Sequence, residues 1–192
     1  MLIQSPQTTK IDSLEDYRKL QETSEFKHEY HNGEIIAMTG GTLNHNTIII
    51  NLIFCLKLAL GKTDNYIYSS DLRLWIPQYS RGVYPDIMII SGQPIFNENR
   101  TDEIINPCLI FEVLSPSTSS YDRGDKFLYY RSIPQFKEYI LISQSDCLIE
   151  HYTKTNDHQW LLTDYQDKEG IINLNSVNID VKISDIYDNI KI

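Results

Sequence analysis

The apolar pattern is strongest over 109–114, where the sequence LIFEVL holds a single polar residue. Apolar side chains on both faces of the pleat predict a central strand that is covered on both sides. Glu112 is the exception, because a buried carboxylate must take up a proton or find a positive partner. A second apolar run, 83–90, contains Asp86 in the same way. Two acidic residues set in apolar strands indicate a cation site.

Helical and strand patterns alternate along the rest of the chain. Ser13 is a good first cap and Gly61 a good last cap for two of the helices. Asn32-Gly33 predicts a hairpin within 26–38. The predicted helices are 12–20, 44–60, 121–132 and 184–189. The other predicted strands are 66–76, 83–90, 108–114, 138–143 and 147–153, with short ones around Trp160, Ile172 and Ile179.

Interleaved helices and strands predict an α/β or α+β fold with a central mixed β-sheet flanked by helices. The 192 residues contain no repeat, low-complexity tract or interdomain linker. This length favours a single domain over 1–192. Within it we expect an N-terminal helix at about 12–20, a core over about 26–143 and C-terminal strands over 147–192.

Composition and charge limit the class of protein. Hydrophobic residues make up 41% and charged residues 22%, which argues against disorder. The net charge is −9, and residues 145–192 carry five of these excess negative charges. A protein that coats DNA electrostatically would be basic. A polyanion would therefore approach the earlier part of the chain or depend on bound cations.

The expected location is the cytoplasm. Cys55, Cys108 and Cys147 are odd in number, far apart and in apolar surroundings, which predicts buried thiols of a reducing compartment. The N-terminus has no secretory signal pattern. The apolar run 48–60 is interrupted by polar residues and is too short to span a bilayer, so we expect no membrane partner.

The two carboxylates suggest a specific chemistry. Asp86 and Glu112 on adjacent strands would lie within a few ångströms of one another. Two hard oxygen ligands suit Mg²⁺, which usually keeps several waters. Such an ion activates water and stabilises charge on a phosphodiester. Lys126 could hold the attacking water, and Asp122, Lys126 and Tyr130 share one helix face at a spacing of four.

A known family has the same segments in the same order. They are Asn32-Gly33-Glu34, His45 at a helix start, Tyr84-Pro85-Asp86, FEVLSPST at 111–118, DRGDK at 122–126 and Glu138-Tyr139. Together they resemble the Uma-type family of restriction endonucleases, within the PD-(D/E)XK nuclease superfamily. The resemblance runs over about 26–143 and continues more weakly to the end. The stretch 112–126 is its most specific part.

The resemblance implies a central mixed sheet flanked by helices and Mg²⁺-dependent cleavage of DNA, with Mn²⁺ as a substitute. It implies that Asp86, Glu112 and the Val113 carbonyl hold the metal ion. The superfamily lysine normally lies two residues after the glutamate, where this chain has Leu114. Some members carry the lysine on the next helix, which implies that role for Lys126.

The resemblance also assigns supporting positions. Glu34 and His45 match family positions near the site, and Asp122 and Tyr130 lie on the face of Lys126. Simpler interpretations exist for each residue. His45 could be an ordinary helix-start histidine and Glu34 a solvated hairpin residue. Asp86 could cap backbone N–H groups, Glu112 could form a structural salt bridge, and Lys126 could pair with Asp122 alone.

Three functions therefore follow from the sequence. The first is a metal-dependent endonuclease acting on DNA, and a homodimer if it cuts both strands. The second is a catalytically inactive nuclease-like module that binds nucleic acid or protein, favoured by Leu114 and the acidic charge. The third is a metal-dependent hydrolase for another substrate.

Overall fold

The computed structural model describes residues 8–38 and 40–191. Its helices are α1 (Leu14–Thr23), α2 (Leu43–Leu60), α3 (Ser119–Tyr121), α4 (Phe127–Tyr130) and α5 (Ile183–Ile186). A 3₁₀ turn covers Pro77–Tyr79, and a π turn covers Asp122–Lys126 between α3 and α4. Its strands are β1 (Thr8–Lys10), β2 (His28–His31), β3 (Glu34–Ala37), β4 (Asn65–Ser69), β5 (Arg73–Ile76), β6 (Arg81–Val83), β7 (Ile87–Ser91), β8 (Glu103–Ile104), β9 (Leu109–Leu114), β10 (Glu138–Ser143), β11 (Ile149–Asn156), β12 (Gln159–Tyr165), β13 (Ile171–Leu174) and β14 (Ile179–Lys182).

The strands form two six-stranded sheets and a small hairpin. The first sheet has the order β1-β3-β2-β6-β5-β8, the second β12-β11-β10-β9-β7-β4, and β13 pairs with β14. In the second sheet β9 lies between parallel β10 and antiparallel β7. All six residues of β9 are buried. The predicted central strand and mixed-sheet fold are confirmed, although the sequence indicated one sheet and the structure has two.

Strand β9 separates two apolar cores. Phe111 and Val113 face a core that α2 and the C-terminal elements complete. Ile110 and Leu114 face a second core, shared with the first sheet and with α4. Because successive strand residues point to opposite faces, Glu112 projects into the second core.

Two predicted strands are wrong in the same way. The segment 66–76 is divided between β4 and β5, which belong to different sheets and are joined by a turn at Ser70 and Asp71. The segment 83–90 is divided between β6 and β7, again in different sheets. Pro85 lacks a backbone N–H and cannot continue a ladder. Asp86 therefore lies just before a strand and not inside one.

Local signals place the hairpin and the long helix correctly. Asn32 and Gly33 have φ of 48° and 93°, the left-handed values that a two-residue hairpin turn needs. Helix α2 begins after Thr42, whose side chain accepts from the His45 N–H, and ends at Gly61 with φ of 54°.

Two expectations drawn from apolar runs need correction. With 18 residues, α2 is long and apolar enough to cross a membrane by length and composition alone; the core-facing side of this helix is buried in the fold. The cysteines are free, but Cys108 alone is buried, while Cys55 and Cys147 are half-buried.

Candidate active site

Asp86 and Glu112 meet at the edge between β7 and β9. Ile87 pairs with Phe111 in the antiparallel ladder. Asp86, which precedes Ile87, therefore lies opposite Glu112, which follows Phe111. The backbone N–H of Asp86 donates to Glu112 Oε2 at 3.4 Å. The N–H of Val113 donates to Asp86 Oδ2 at 2.7 Å. The structure thus brings together the two carboxylates that the sequence singled out.

Lys126 reaches the same point from the helical segment after β9. Its Nζ lies 3.0 Å from Glu112 Oε1 and 3.0 Å from Asp122 Oδ1. The Tyr130 hydroxyl donates to Glu112 Oε1 at 2.8 Å. All four side chains are buried. The π turn, which lies within this segment, includes both Asp122 and Lys126; such turns are frequent at functional sites.

Leu114 occupies the position at which the superfamily's lysine is expected. It lies two residues beyond Glu112 on the same face of β9, and it packs in the apolar core that α4 also covers. A lysine there would need polar partners inside this core. Lys126, on the helical segment that covers the same face, places its ammonium group directly on Glu112.

His45 supports Asp86 from the first turn of α2. Its Nε2 lies 3.1 Å from Asp86 Oδ1. Burial by itself would lower the pKa of His45, but the hydrogen bond and charge of Asp86 outweigh it, so the net shift is upward. The Asp86 carboxylate therefore stabilises the imidazolium form relative to that of a free histidine.

Glu34 does not join the cluster. It is exposed on β3, where Lys10 is its cross-strand neighbour, and within 8–38 and 40–191 no hydrogen bond connects it to Asp86, Glu112 or Lys126. Glu34 lies beside the hairpin turn, where solvent reaches it. The structure does not bring Glu34 to the cluster, and its supporting role stays a prediction.

The buried carboxylate of this hairpin is Glu29, which the sequence analysis missed. It is 8% exposed, and His31 Nε2 lies 3.0 Å from its Oε2. Burial by itself would raise the pKa of Glu29, but the hydrogen bond with His31 and the charge of Lys126 lower it overall. The available signal was the spacing: Glu29 and His31 share one strand face, whereas Tyr30 on the other face belongs to the apolar cluster around Tyr17.

The cluster holds more negative charge than its lysine can balance. Burial alone would lower the pKa of Lys126, yet the Glu112 charge, with Tyr130 and Asp122, raises it well above its usual value. Burial raises the pKa of Glu112 to about 8, against the attraction of Lys126 and with the repulsion of Asp86 and Asp122. A further cation at this point would therefore stabilise the ionised form of Glu112.

The donor atoms at this edge suit a hard divalent cation. Asp86 and Glu112 supply carboxylate oxygens. In an extended strand the N–H and C=O of one residue point to the same side, so the Val113 carbonyl faces the edge where its N–H meets Asp86. Within 8–38 and 40–191 there is no cluster of three or more His, Cys, Asp or Glu side chains placed to hold a metal ion. Two carboxylates and a carbonyl are a ligand set typical of Mg²⁺, which retains several waters.

Comparisons with known proteins agree with this fold. A family model described as "Putative restriction endonuclease", named Uma2, matches residues 14–184. The uncharacterised protein sll1609 of Synechocystis sp. strain PCC 6803 is 40% identical over 172 residues, which cover 90% of this chain and 97% of that protein. A second uncharacterised Synechocystis protein, slr1290, is 37% identical over 177 residues, covering 91% and 90% of the two chains.

A solved structure has the same fold. It is the crystal structure of "a putative nuclease belonging to DUF820" from Anabaena variabilis, with a TM-score of 0.73 over 92% of this chain and 98% of that chain. The two sequences are 18% identical. The predicted nuclease-like fold class is confirmed.

Proposed function

We propose a function for this chain on the premise that it belongs to the Uma2 family, whose description is that of a restriction endonuclease. The function is metal-dependent hydrolysis of DNA phosphodiester bonds, with Mg²⁺ as the ion and Mn²⁺ as a substitute. The single observation that carries the proposal is the buried Glu112 carboxylate, which contacts Lys126 on one oxygen and the Asp86 backbone on the other. A cytoplasmic location suits the DNA substrate and the free cysteines.

The proposed ligands are Asp86, Glu112 and the Val113 carbonyl. When bound, the ion would act as a Lewis acid that activates water and stabilises charge on the phosphate. Lys126 is the proposed group that orients the attacking water and neutralises the pentavalent phosphate. Its ammonium group is kept protonated and fixed by the carboxylates around it.

The remaining residues have positioning roles in this proposal. Tyr130 fixes one oxygen of Glu112, and His45 fixes one oxygen of Asp86. Asp122 holds Lys126 from its other side. Glu29 adds a buried negative charge near the same lysine. These contacts hold the reacting groups in one geometry, which is how positioning contributes to rate.

A plasmid-nicking assay with Mg²⁺ tests the proposal. We expect the wild type to nick supercoiled DNA and Asp86→Ala and Glu112→Ala to lose activity by about 100-fold or more, since each removes a ligand. Asp125→Ala is the matched control, because it also removes a carboxylate, but one that is exposed on the π turn that carries Lys126. Equal activity in wild type and both ligand variants would contradict the proposal.

A binding module without catalysis is the second candidate. The net charge of −9 and the apolar Leu114 favour it. Titration with Mn²⁺ separates the two functions. A catalytic site should bind the ion, and Glu112→Gln should abolish that binding. Metal binding without cleavage of DNA would instead indicate a hydrolase for another substrate.

A further inference from the structure

Arg81 differs from four of the other arginines, each of which has an acidic partner. Arg18, Arg73, Arg100 and Arg123 each form an ion pair with a carboxylate. In the part of the chain that the structure describes, Arg81 forms none, and its Nε is buried without a hydrogen-bond partner. A buried donor left unpaired is costly, and a charged guanidinium without an ion-pair partner among the described residues is a candidate for binding an anion.

Arg81 faces the candidate active site. It lies on β6 directly opposite His31 of β2, and directly paired strand residues project from the same face. His31 is bonded to Glu29, and its Nε2 lies 3.3 Å from the Tyr121 hydroxyl. Arg81 therefore lies on the same face of the sheet as His31 and Glu29.

Tyr121 connects Lys126 to the strand pair that carries Arg81. Lys126 Nζ lies 5.6 Å from the centroid of the Tyr121 ring. The Tyr121 hydroxyl contacts His31, the cross-strand neighbour of Arg81. The lysine and the arginine are therefore joined through two side chains, Tyr121 and His31.

Aromatic stacking holds the guanidinium in place. Its central carbon lies 4.3 Å from the centroid of the Tyr129 ring, which in turn packs 4.8 Å from the ring of Tyr79. A stacked guanidinium is planar, always charged and able to donate to phosphate in a fork. Stacking fixes the group without neutralising it, which leaves its donors for an anion.

We propose that Arg81, stacked on Tyr129, binds the DNA phosphate next to the one that is cleaved. This inference rests on the proposed function, because it takes Lys126 as the group at the scissile phosphate. Contacts to a neighbouring phosphate fix the register of the nucleic acid and carry no sequence information. Arg81 would therefore set where along the backbone the bond at Asp86 and Glu112 is cut.

The test is the salt dependence of DNA binding, measured by fluorescence anisotropy on a labelled 20-base-pair duplex with Ca²⁺ present. The slope of log K against log salt counts neutralised phosphates. We expect Arg81→Ala to reduce that slope by about one and to weaken binding at low salt by about 10-fold. Arg81→Lys should recover the slope while losing the forked contact.

Arg131→Ala is the matched control, because Arg131 is exposed and lies over the Phe127 ring at 4.7 Å. Its slope and affinity should equal those of the wild type. Thermal melting of each variant controls for folding. If Arg81→Ala only destabilised the fold, the slope measured for the folded fraction would be unchanged. An unchanged slope in Arg81→Ala would overturn the inference.

Cleavage assays separate this inference from the proposed function. If the wild type cleaves DNA, Arg81→Ala should raise KM by about 10-fold and change kcat by less than about 3-fold. Cleavage with unchanged KM in Arg81→Ala overturns the Arg81 contact and leaves the endonuclease intact. A wild type that binds but does not cleave overturns the endonuclease, while a reduced slope in Arg81→Ala still supports the phosphate contact.

Discussion

Glu112 is the residue on which the cluster converges. The ammonium group of Lys126, the hydroxyl of Tyr130 and the backbone N–H of Asp86 all point at its two oxygens. A buried carboxylate needs such partners, because desolvation otherwise favours its neutral form. A proton and a bound cation would therefore compete for this one group beside the lysine. Small changes around Glu112 should therefore alter the pH dependence of the site.

Tyr130→Phe should move the pH dependence of cleavage. Burial raises the pKa of Glu112 to about 8 even though the hydrogen bond from Tyr130 acts to lower it. Its loss raises that pKa further, and a carboxylate must be ionised to hold a cation. Cleavage rates measured from pH 6.5 to 9.5 should therefore rise at higher pH in Tyr130→Phe than in the wild type. Tyr66→Phe, at an exposed tyrosine of β4, is the control; coincident profiles for wild type and Tyr130→Phe would contradict the expectation.

At the scale of elements, a second buried carboxylate attaches the C-terminal hairpin to the central sheet. Glu138 of β10 accepts from the backbone N–H groups of Asn175 and Ser176, at 3.1 Å and 2.8 Å. His151 Nε2 lies 3.0 Å from the same carboxylate. The turn between β13 and β14 is therefore held by a charge-assisted hydrogen-bond network as well as by apolar packing.

Glu138→Gln should destabilise the protein in a pH-dependent way. Burial alone would raise the pKa of Glu138, but hydrogen bonds with His151 and Ser176 lower it overall from 4.5. A depressed pKa stabilises the fold above the unfolded-state pKa, and the stabilisation is lost as pH falls through the folded-state pKa. Urea unfolding at pH 7 should show a loss of about 1–3 kcal/mol, shrinking towards pH 3.

Glu169→Gln is the control for this measurement, because Glu169 is exposed in the turn before β13. It should change the free energy of unfolding by less than about 0.5 kcal/mol at either pH. A loss in Glu138→Gln that is the same at pH 7 and pH 3 would show that the charge of Glu138 does not contribute.

Local patterns predicted those elements that local forces determine. The hairpin at Asn32-Gly33, the helix closed by Gly61 and the buried strand β9 follow from turn chemistry, capping and apolar runs. The divisions at Ser70 and Pro85 were not predicted, although Ser69-Ser70-Asp71 interrupts the first apolar run and a proline interrupts the second. Tertiary packing decides which sheet a strand joins, and the periodicity of apolar residues along the sequence does not predict it.

The candidate site was predictable to a similar extent. Asp86, Glu112 and Lys126 were found because charged residues in apolar surroundings are conspicuous in a sequence. Glu29 was missed because His28 and His31 on either side make its strand look solvated. Arg81 was missed because its missing acidic partner is a property of three-dimensional packing alone.

At the scale of the whole molecule, charge and apolar surface are segregated. The cationic groups at the site, Lys126 and Arg81, belong to the part of the chain before 145, where less of the excess negative charge lies. Helix α2 covers the opposite face of β9 and leaves Ile50, Phe54 and Leu58 60%, 64% and 67% exposed. Residues four apart form one helical stripe, and an exposed apolar stripe of this kind is typical of a contact surface.

Phe54→Glu should separate a homodimer into monomers. A single site per chain needs two copies to cut both strands, and the α2 stripe is the surface that we propose for their contact. Size-exclusion chromatography with light scattering should find a dimer for the wild type and a monomer for Phe54→Glu. Leu161→Glu is the control, because Leu161 is 57% exposed on β12. A monomeric wild type would show this expectation to be wrong.

The π turn at Asp122–Lys126 has a consequence for comparing relatives by sequence. It holds one residue more than a regular helical turn, and one residue corresponds to about 100° of rotation in an α-helix. A relative that lost one residue here would have an unbroken helix, and Lys126 and Tyr130 would be rotated by about 100° relative to α3. In an alignment that loss would be a single gap beside Gly124, easily dismissed as loop variation. That single gap would nevertheless indicate that the side chains of the site no longer have the arrangement seen in this structure.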